Sequence, residues 1–200
     1  MISYASFPFL LIASAPYNGG AEVSLLLALL GVKADEPELA GNQSLPEKTA
    51  SGLAKFQREV LTELGSGWDD PMVLSSEWLS SGYGQMSVKR LVEGLSHFGA
   101  QGVTTVPYDP CTARLLPLWY AAAERLNGDI ATLLTVKHPC EVVDSLWLRH
   151  GMTRAHGLMV WLVSFLSAGA LLPESSSVRF QSTFTVIGMS ASWSSTIAGR

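Results

Sequence analysis

Positive charge is scarce in this chain. Its 13 Lys and Arg stand against 17 Asp and Glu, for a net charge of -4 with histidine neutral. That balance leaves no electrostatic footprint for nucleic acid or an anionic membrane surface, so the expected partner is a small molecule or a protein. Cysteine is scarcer still. Cys111 and Cys140 are too few for a disulfide framework, no CxxC occurs, and the four histidines are scattered, so no metal site is expected and a cytoplasmic setting is the default. The apolar N-terminus "MISYASFPFLLIASA" ends in a small-x-small pattern like a signal peptide. It lacks a positive n-region, since the first Lys or Arg is Lys33. The longest uncharged apolar run, Gly157–Pro173, sits at the lower edge of the roughly 17–25 residues that span a bilayer. Its two serines and two glycines favour a buried helix over a membrane span.

Apolar residues are plentiful. A chain of 200 residues that is 48% hydrophobic can bury a sizeable core, and residues 1–200 are read as one domain. Phe7–Ala15 reads as a buried strand that meets Gly19-Gly20, where a helix opens and runs to about Gly31. Residues 33–46, acidic and rich in turn formers, read as a surface loop. A helix from Pro46 to Gly65 then carries Leu53, Phe56, Val60, Leu61 and Leu64 at helical spacing. Met86–Phe98 is a further expected helix, residues 102–110 a short strand, and residues 111–128 a helix. "DIATLLTVKHP" is a third strand running into the helix "CEVVDSLWLRHG", acidic in its first turn and basic at its end as the helix dipole prefers. A helix from Thr153 and a last strand, "VRFQSTFTVIG", complete the expectation. Alternating strands and helices predict an α/β fold, a parallel sheet flanked by helices. Such sheets bind ligands at the C-terminal ends of their strands, which places "SAPYNGG", "PYDPC" and "VKHPCEVVDS" on one rim. The first of these has the strand, glycine turn and helix start that hold a phosphate elsewhere, with nothing cationic in the turn.

Residues 108–162 resemble the bacterial sulfotransferase family, over roughly a quarter of the chain. Four blocks of that family, a KDPR-like turn, "LLPLW", "RHPLEVARSL" and "HGLLLWL", are similar in order and spacing to "YDPC", "LLPLW", "KHPCEVVDSL" and "HGLMVWL" here. The resemblance implies a P-loop-like sulfotransferase fold, in a degenerate and C-terminally short member. It implies a clamp for the 3′-phosphate of 3′-phosphoadenosine 5′-phosphosulfate at Lys137 and Ser145, a cation at a strand end and a hydroxyl in the next helix converging on one anion. The family's loop for the 5′-phosphosulfate falls on residues 16–21. There Tyr17 replaces the basic residue, Asn18 the Ser and Gly20 the Thr, so Asn18, Gly19 and Gly20 are left to bind through an amide and backbone N–H groups, with Glu22 adding a like charge.

The KDPR-like turn has lost both cations, and Asp109 is its one acid, a candidate base or a helix-capping residue. His156, at a position that resembles a substrate-side histidine of the family, and His138 could each be a base at neutral pH, or a cap and a structural histidine. Arg149 could hold an anionic substrate or simply place charge at a helix end. Tyr17 and Tyr108 are expected to face one another across the rim, shaping an organic pocket. An intact scaffold signal with stripped loops suggests one subunit of a heteromeric enzyme acting on a sulfated or sulfate-accepting small metabolite of natural-product biosynthesis, for example by letting an internal amine displace sulfate to close a ring. The alternatives are a sulfotransferase that uses 3′-phosphoadenosine 5′-phosphosulfate and a non-catalytic scaffold for a catalytic partner.

Overall fold

A computed structural model describes residues 9–34, 52–95, 104–106, 108–128, 130–170, 177–180 and 185–190. The fold is α/β. Its six-stranded sheet has the order β2-β3-β1-β4-β6-β5, from β1 (Phe9–Ala13), β2 (Lys33–Ala34), β3 (Thr104–Thr105), β4 (Ile130–Val136), β5 (Ser177–Phe180) and β6 (Thr185–Ser190). Among the described residues six α-helices accompany it: α1 (Gly20–Leu29), α2 (Gly52–Glu63), α3 (Gly82–Leu95), α4 (Leu116–Arg125), α5 (Pro139–His150) and α6 (Arg154–Gly169).

The two central strands are the most apolar. Leu11, Ile12 and Ala13 of β1 are buried, and β4 buries Ile130, Thr132, Leu134 and Thr135. They run parallel in register from Phe9 opposite Ile130 to Ala13 opposite Leu134, so their C-terminal ends open on the same edge. β3 and β2 extend the parallel half. The other half corrects the expectation of a wholly parallel sheet: β6 is antiparallel to β4, and β5 is antiparallel to β6. The single last strand expected near the C-terminus is thus two strands, and the four residues between them are too few for a parallel crossover, whereas antiparallel neighbours need only a short connection. The loop expected over 33–46 begins instead with the edge strand β2; its remainder, like the helix start expected at Pro46, lies outside the described residues.

α2 follows its expected face. It buries Leu53, Phe56, Val60 and Leu61, which fall on one helical face, against a core centred on Trp119, Leu115, Leu116, Leu118 and Leu91. α5 starts on Pro139, whose fixed φ suits a first helical position, and the His138 ring accepts the Cys140 N–H at 3.3 Å. It ends on Gly151 at φ +65°, a left-handed position that glycine adopts without strain. Thr153 caps α6 by accepting the His156 N–H at 3.3 Å, and Arg154 reaches Asp144 at 3.0 Å, fastening α6 to α5. α6 buries one face, through Gly157, Val160, Val163, Ser164 and Ala168, while Leu158, Met159 and Leu166 are exposed. Among the described residues no helix is long and apolar enough to cross a membrane.

Candidate functional site

At the C-terminal ends of β1 and β4 lies a cavity of about 620 Å³, a size suited to a small organic ligand. Two groups of side chains contribute to it, and they differ in what their polar atoms are doing.

The first surrounds the β1–α1 loop. The Asn18 side chain, 2% exposed, donates through Nδ2 to the Thr135 carbonyl and accepts the Lys137 N–H at Oδ1, both at 2.6 Å. Its amide is therefore spent on stapling the loop to the end of β4. Thr135 Oγ1 donates to Ser14 Oγ at 2.7 Å, and Ser14 donates to the Ala15 carbonyl, adding a second cross-strand tie beneath the loop. Gly19 has φ +98°, and a Cβ there would rest on Lys137 and Thr135. At Gly20 a Cβ would meet the Tyr108 ring at 2.3 Å, so the missing side chain is what lets that ring lie on the start of α1. The Tyr108 hydroxyl donates to the Ala15 carbonyl at 3.1 Å, and burial pushes its ionisation well above the ordinary phenol value. Lys137 Nζ pairs with Glu22 Oε1 at 2.7 Å, and that hydrogen bond holds the Glu22 carboxyl below its usual range against the opposing effect of burial. Ser145 reaches the cavity, but its hydroxyl donates to the Glu141 carbonyl at 2.9 Å.

The second group is aromatic and cationic. Tyr17 sits at φ +59°, one of two non-glycine residues in the left-handed region among those described. A hydrogen bond of 2.6 Å joins Tyr17 Oη to His150 Nε2. The Arg149 guanidinium lies 5.3 Å over the Tyr17 ring, and the Trp68 ring is 5.1 Å from the His150 ring. Trp68 is presented by a segment that is held firmly. Buried Arg114 donates to the carbonyls of Gly67 and Met72, Ser66 Oγ donates to Asp70 Oδ2 at 2.6 Å, and a hydrogen bond of 2.7 Å joins His156 Nε2 to the Asp69 carbonyl. Burial lowers the Arg114 proton affinity, and the Ser66 hydrogen bond lowers that of Asp70.

Of the residues expected from sequence, Tyr17, Gly19, Gly20, Tyr108, Lys137, Ser145 and Arg149 all line the cavity, with Asn18 directly behind its loop. Besides Asn18, three others do not line it. Asp109 is buried in its turn, where Oδ1 accepts the Cys111 N–H at 2.8 Å and desolvation raises its carboxyl above the ordinary value. His138 serves as the cap of α5, and His156 is occupied at the Asp69 carbonyl. Tyr17 and Tyr108 share the rim, each directed to a different partner. Sequence reasoning missed His150, whose signal was faint, as the last residue of a helix that also carries Arg149. Trp68 stands in an irregular stretch beside two glycines, where a tryptophan suits the rim of a cleft, and it lines the cavity. Among the described residues no cluster of His, Cys, Asp and Glu could hold a metal ion. Comparison with family models, with curated proteins and with solved structures finds no match to this chain.

Proposed function

We propose that this chain is a divergent, sulfotransferase-like subunit of a heteromeric enzyme acting on a sulfated, or sulfate-accepting, small metabolite. The observation that carries the reading is the division of labour around the cavity. The loop side has spent the hydrogen bonds of its Asn18 side chain internally and has Glu22 on Lys137, whereas the aromatic side offers Arg149 and a paired phenol and imidazole. A polyanionic donor such as 3′-phosphoadenosine 5′-phosphosulfate does not fit that loop. Its phosphosulfate would meet the Glu22 carboxylate, and the Ser145 hydroxyl hydrogen is already given to Glu141. A smaller ligand with one sulfate group and a neighbouring nucleophile fits better. A volume of about 620 Å³ accommodates it, and one guanidinium suffices to hold a single anionic group.

The chemistry suited to such a ligand is displacement within the molecule. A neutral amine nitrogen forms a bond to the carbon bearing the sulfate ester, the carbon–oxygen bond breaks, and sulfate leaves with the electron pair. Sulfate is a stable dianion that needs no proton on departure, so the reaction calls for alignment, a cation near the leaving oxygens and a base for the amine proton. The heteromeric part of the reading draws on exposed apolar residues of α1. Leu25, Leu26, Leu29 and Leu30 are 63%, 49%, 75% and 78% exposed, an apolar surface of the kind a partner subunit buries.

The test is a calorimetric titration of the full chain with 2-aminoethyl hydrogen sulfate and with adenosine 3′,5′-bisphosphate. Sulfate release is followed by ion chromatography, for the chain alone and co-expressed with the product of the adjacent reading frame. The expected result is saturable binding of the amino sulfate, with release greater in the co-expressed sample. Tight binding of the bisphosphate would restore sulfuryl transfer from the nucleotide donor, and no binding of either compound would leave a non-catalytic scaffold.

A further inference from the structure

Three features of Tyr17 converge. Its backbone is left-handed, a conformation that is unfavourable for a bulky residue and is occupied where surrounding structure enforces it. Its hydroxyl is within 2.6 Å of an imidazole nitrogen from a residue 133 positions away. Its ring carries the Arg149 guanidinium on one side, and its histidine partner is flanked by Trp68. All four side chains line the cavity, so a ligand that enters meets the phenol and its imidazole partner together.

We propose that Tyr17 and His150 form a proton relay that serves as the base of this cavity. The assignment rests on reading the cavity as the site of a nucleophile reacting with a sulfate ester, as above. In the resting pair, His150 carries its proton on Nδ1, and its bare Nε2 accepts the Tyr17 hydroxyl. When the substrate nitrogen attacks, its departing proton moves to the Tyr17 oxygen while the phenolic proton passes to His150 Nε2. Tyr17 is left a neutral phenol and His150 an imidazolium; the nitrogen lone pair has become the new carbon–nitrogen bond, and the carbon–oxygen pair has left with sulfate. The charges facing the relay are Arg149, over the Tyr17 ring, Arg58 on the cavity wall, and the mutually paired Glu22 and Lys137 across it. Among the described residues no salt bridge joins a carboxylate to His150, and His150 is exposed, so solvent can take the relayed proton after turnover.

The relay makes a prediction that needs no substrate. Four histidines give a simple long-range ¹H–¹⁵N correlation spectrum in the uniformly labelled full chain, in which the two tautomers are distinguished by nitrogen shift. The neutral His150 ring is expected in the Nδ1–H form, and the preference is expected to relax to a mixture in Tyr17→Phe. An Nε2–H form in the wild type, or no change in Tyr17→Phe, overturns the relay. With 2-aminoethyl hydrogen sulfate as probe, Tyr17→Phe and His150→Gln each lower kcat for sulfate release by about 10²–10⁴-fold with KM nearly unchanged, and the double variant falls no further. Additive losses, or losses confined to KM, also overturn it. Failure of the wild type to release sulfate overturns the proposed reaction instead, an outcome the tautomer measurement keeps separate.

Discussion

Two sets of residues share one cavity, and they have solved opposite problems. Around the β1–α1 loop every strong polar side chain is answered from within the protein: Asn18 by β4, Lys137 by Glu22, Tyr108 by Ala15. Around Tyr17 the side chains answer mainly one another, through ring contacts and a single hydrogen bond, at positions where solvent or a ligand also reaches. A loop that binds an oxyanion keeps its donors unsatisfied until the ligand arrives, at a cost in stability. Here the side-chain donors of the loop are already answered, and a left-handed non-glycine backbone sits at Tyr17.

The comparison predicts unequal responses to substitution. Asn18→Ala strands the Thr135 carbonyl and the Lys137 N–H in a buried setting and should lower stability by about 2–4 kcal/mol in urea denaturation. A loss below about 1 kcal/mol would mean that the loop is not held by its own polar groups. Tyr17→Asn should do the reverse. Asparagine adopts the left-handed region readily, so the same measurement should show stability unchanged or raised by up to about 1 kcal/mol, and a clear loss would make the aromatic group structural. The smallest effect belongs to Glu22→Gln, because the ion pair is half exposed on the Glu22 side and contributes less than about 1 kcal/mol at neutral pH. Its acid dependence is nonetheless specific. The Glu22 carboxyl is depressed by Lys137, so its contribution is complete above the ordinary value of 4.5 and is lost as pH falls through the lowered one. The variant should lose that acid-side slope in thermal melts and should bind inorganic sulfate up to about tenfold more tightly by calorimetry, since Lys137 is then released.

What was legible in the sequence follows from how local each signal is. β1 and β4 are uncharged apolar runs, α5 has an acidic first turn and a basic end, and α2 has its apolar spacing; β1, β4 and the described part of α2 lie within the stretches expected, and α5 starts one residue before its own. The rim was legible too, because parallel strand ends are brought together by the sheet itself. The pairings on the rim were not. Glu22 reads in sequence as a charge that repels an anion, and only the folded chain reveals it as the partner of Lys137, 115 residues away. His150 reads as one more basic group at a helix end until Tyr17 and Trp68 are beside it. Asp109 and His156 have the chemistry of bases, but local hydrogen bonds claimed them first. The antiparallel half of the sheet escaped because a serine- and threonine-rich stretch carries little apolar alternation with which to separate two strands from one.

The staple at Asn18 has a bearing on how the molecule assembles. Its two bonds join segments 117 and 119 residues apart, so the loop cannot take its final shape until the loop-closure entropy of more than half the chain has been overcome. The cavity is thus a late product of high contact order, completed when β4 docks beside β1. An early folding species made from the first hundred residues would contain Tyr17, Asn18 and both glycines, and it would still have no site.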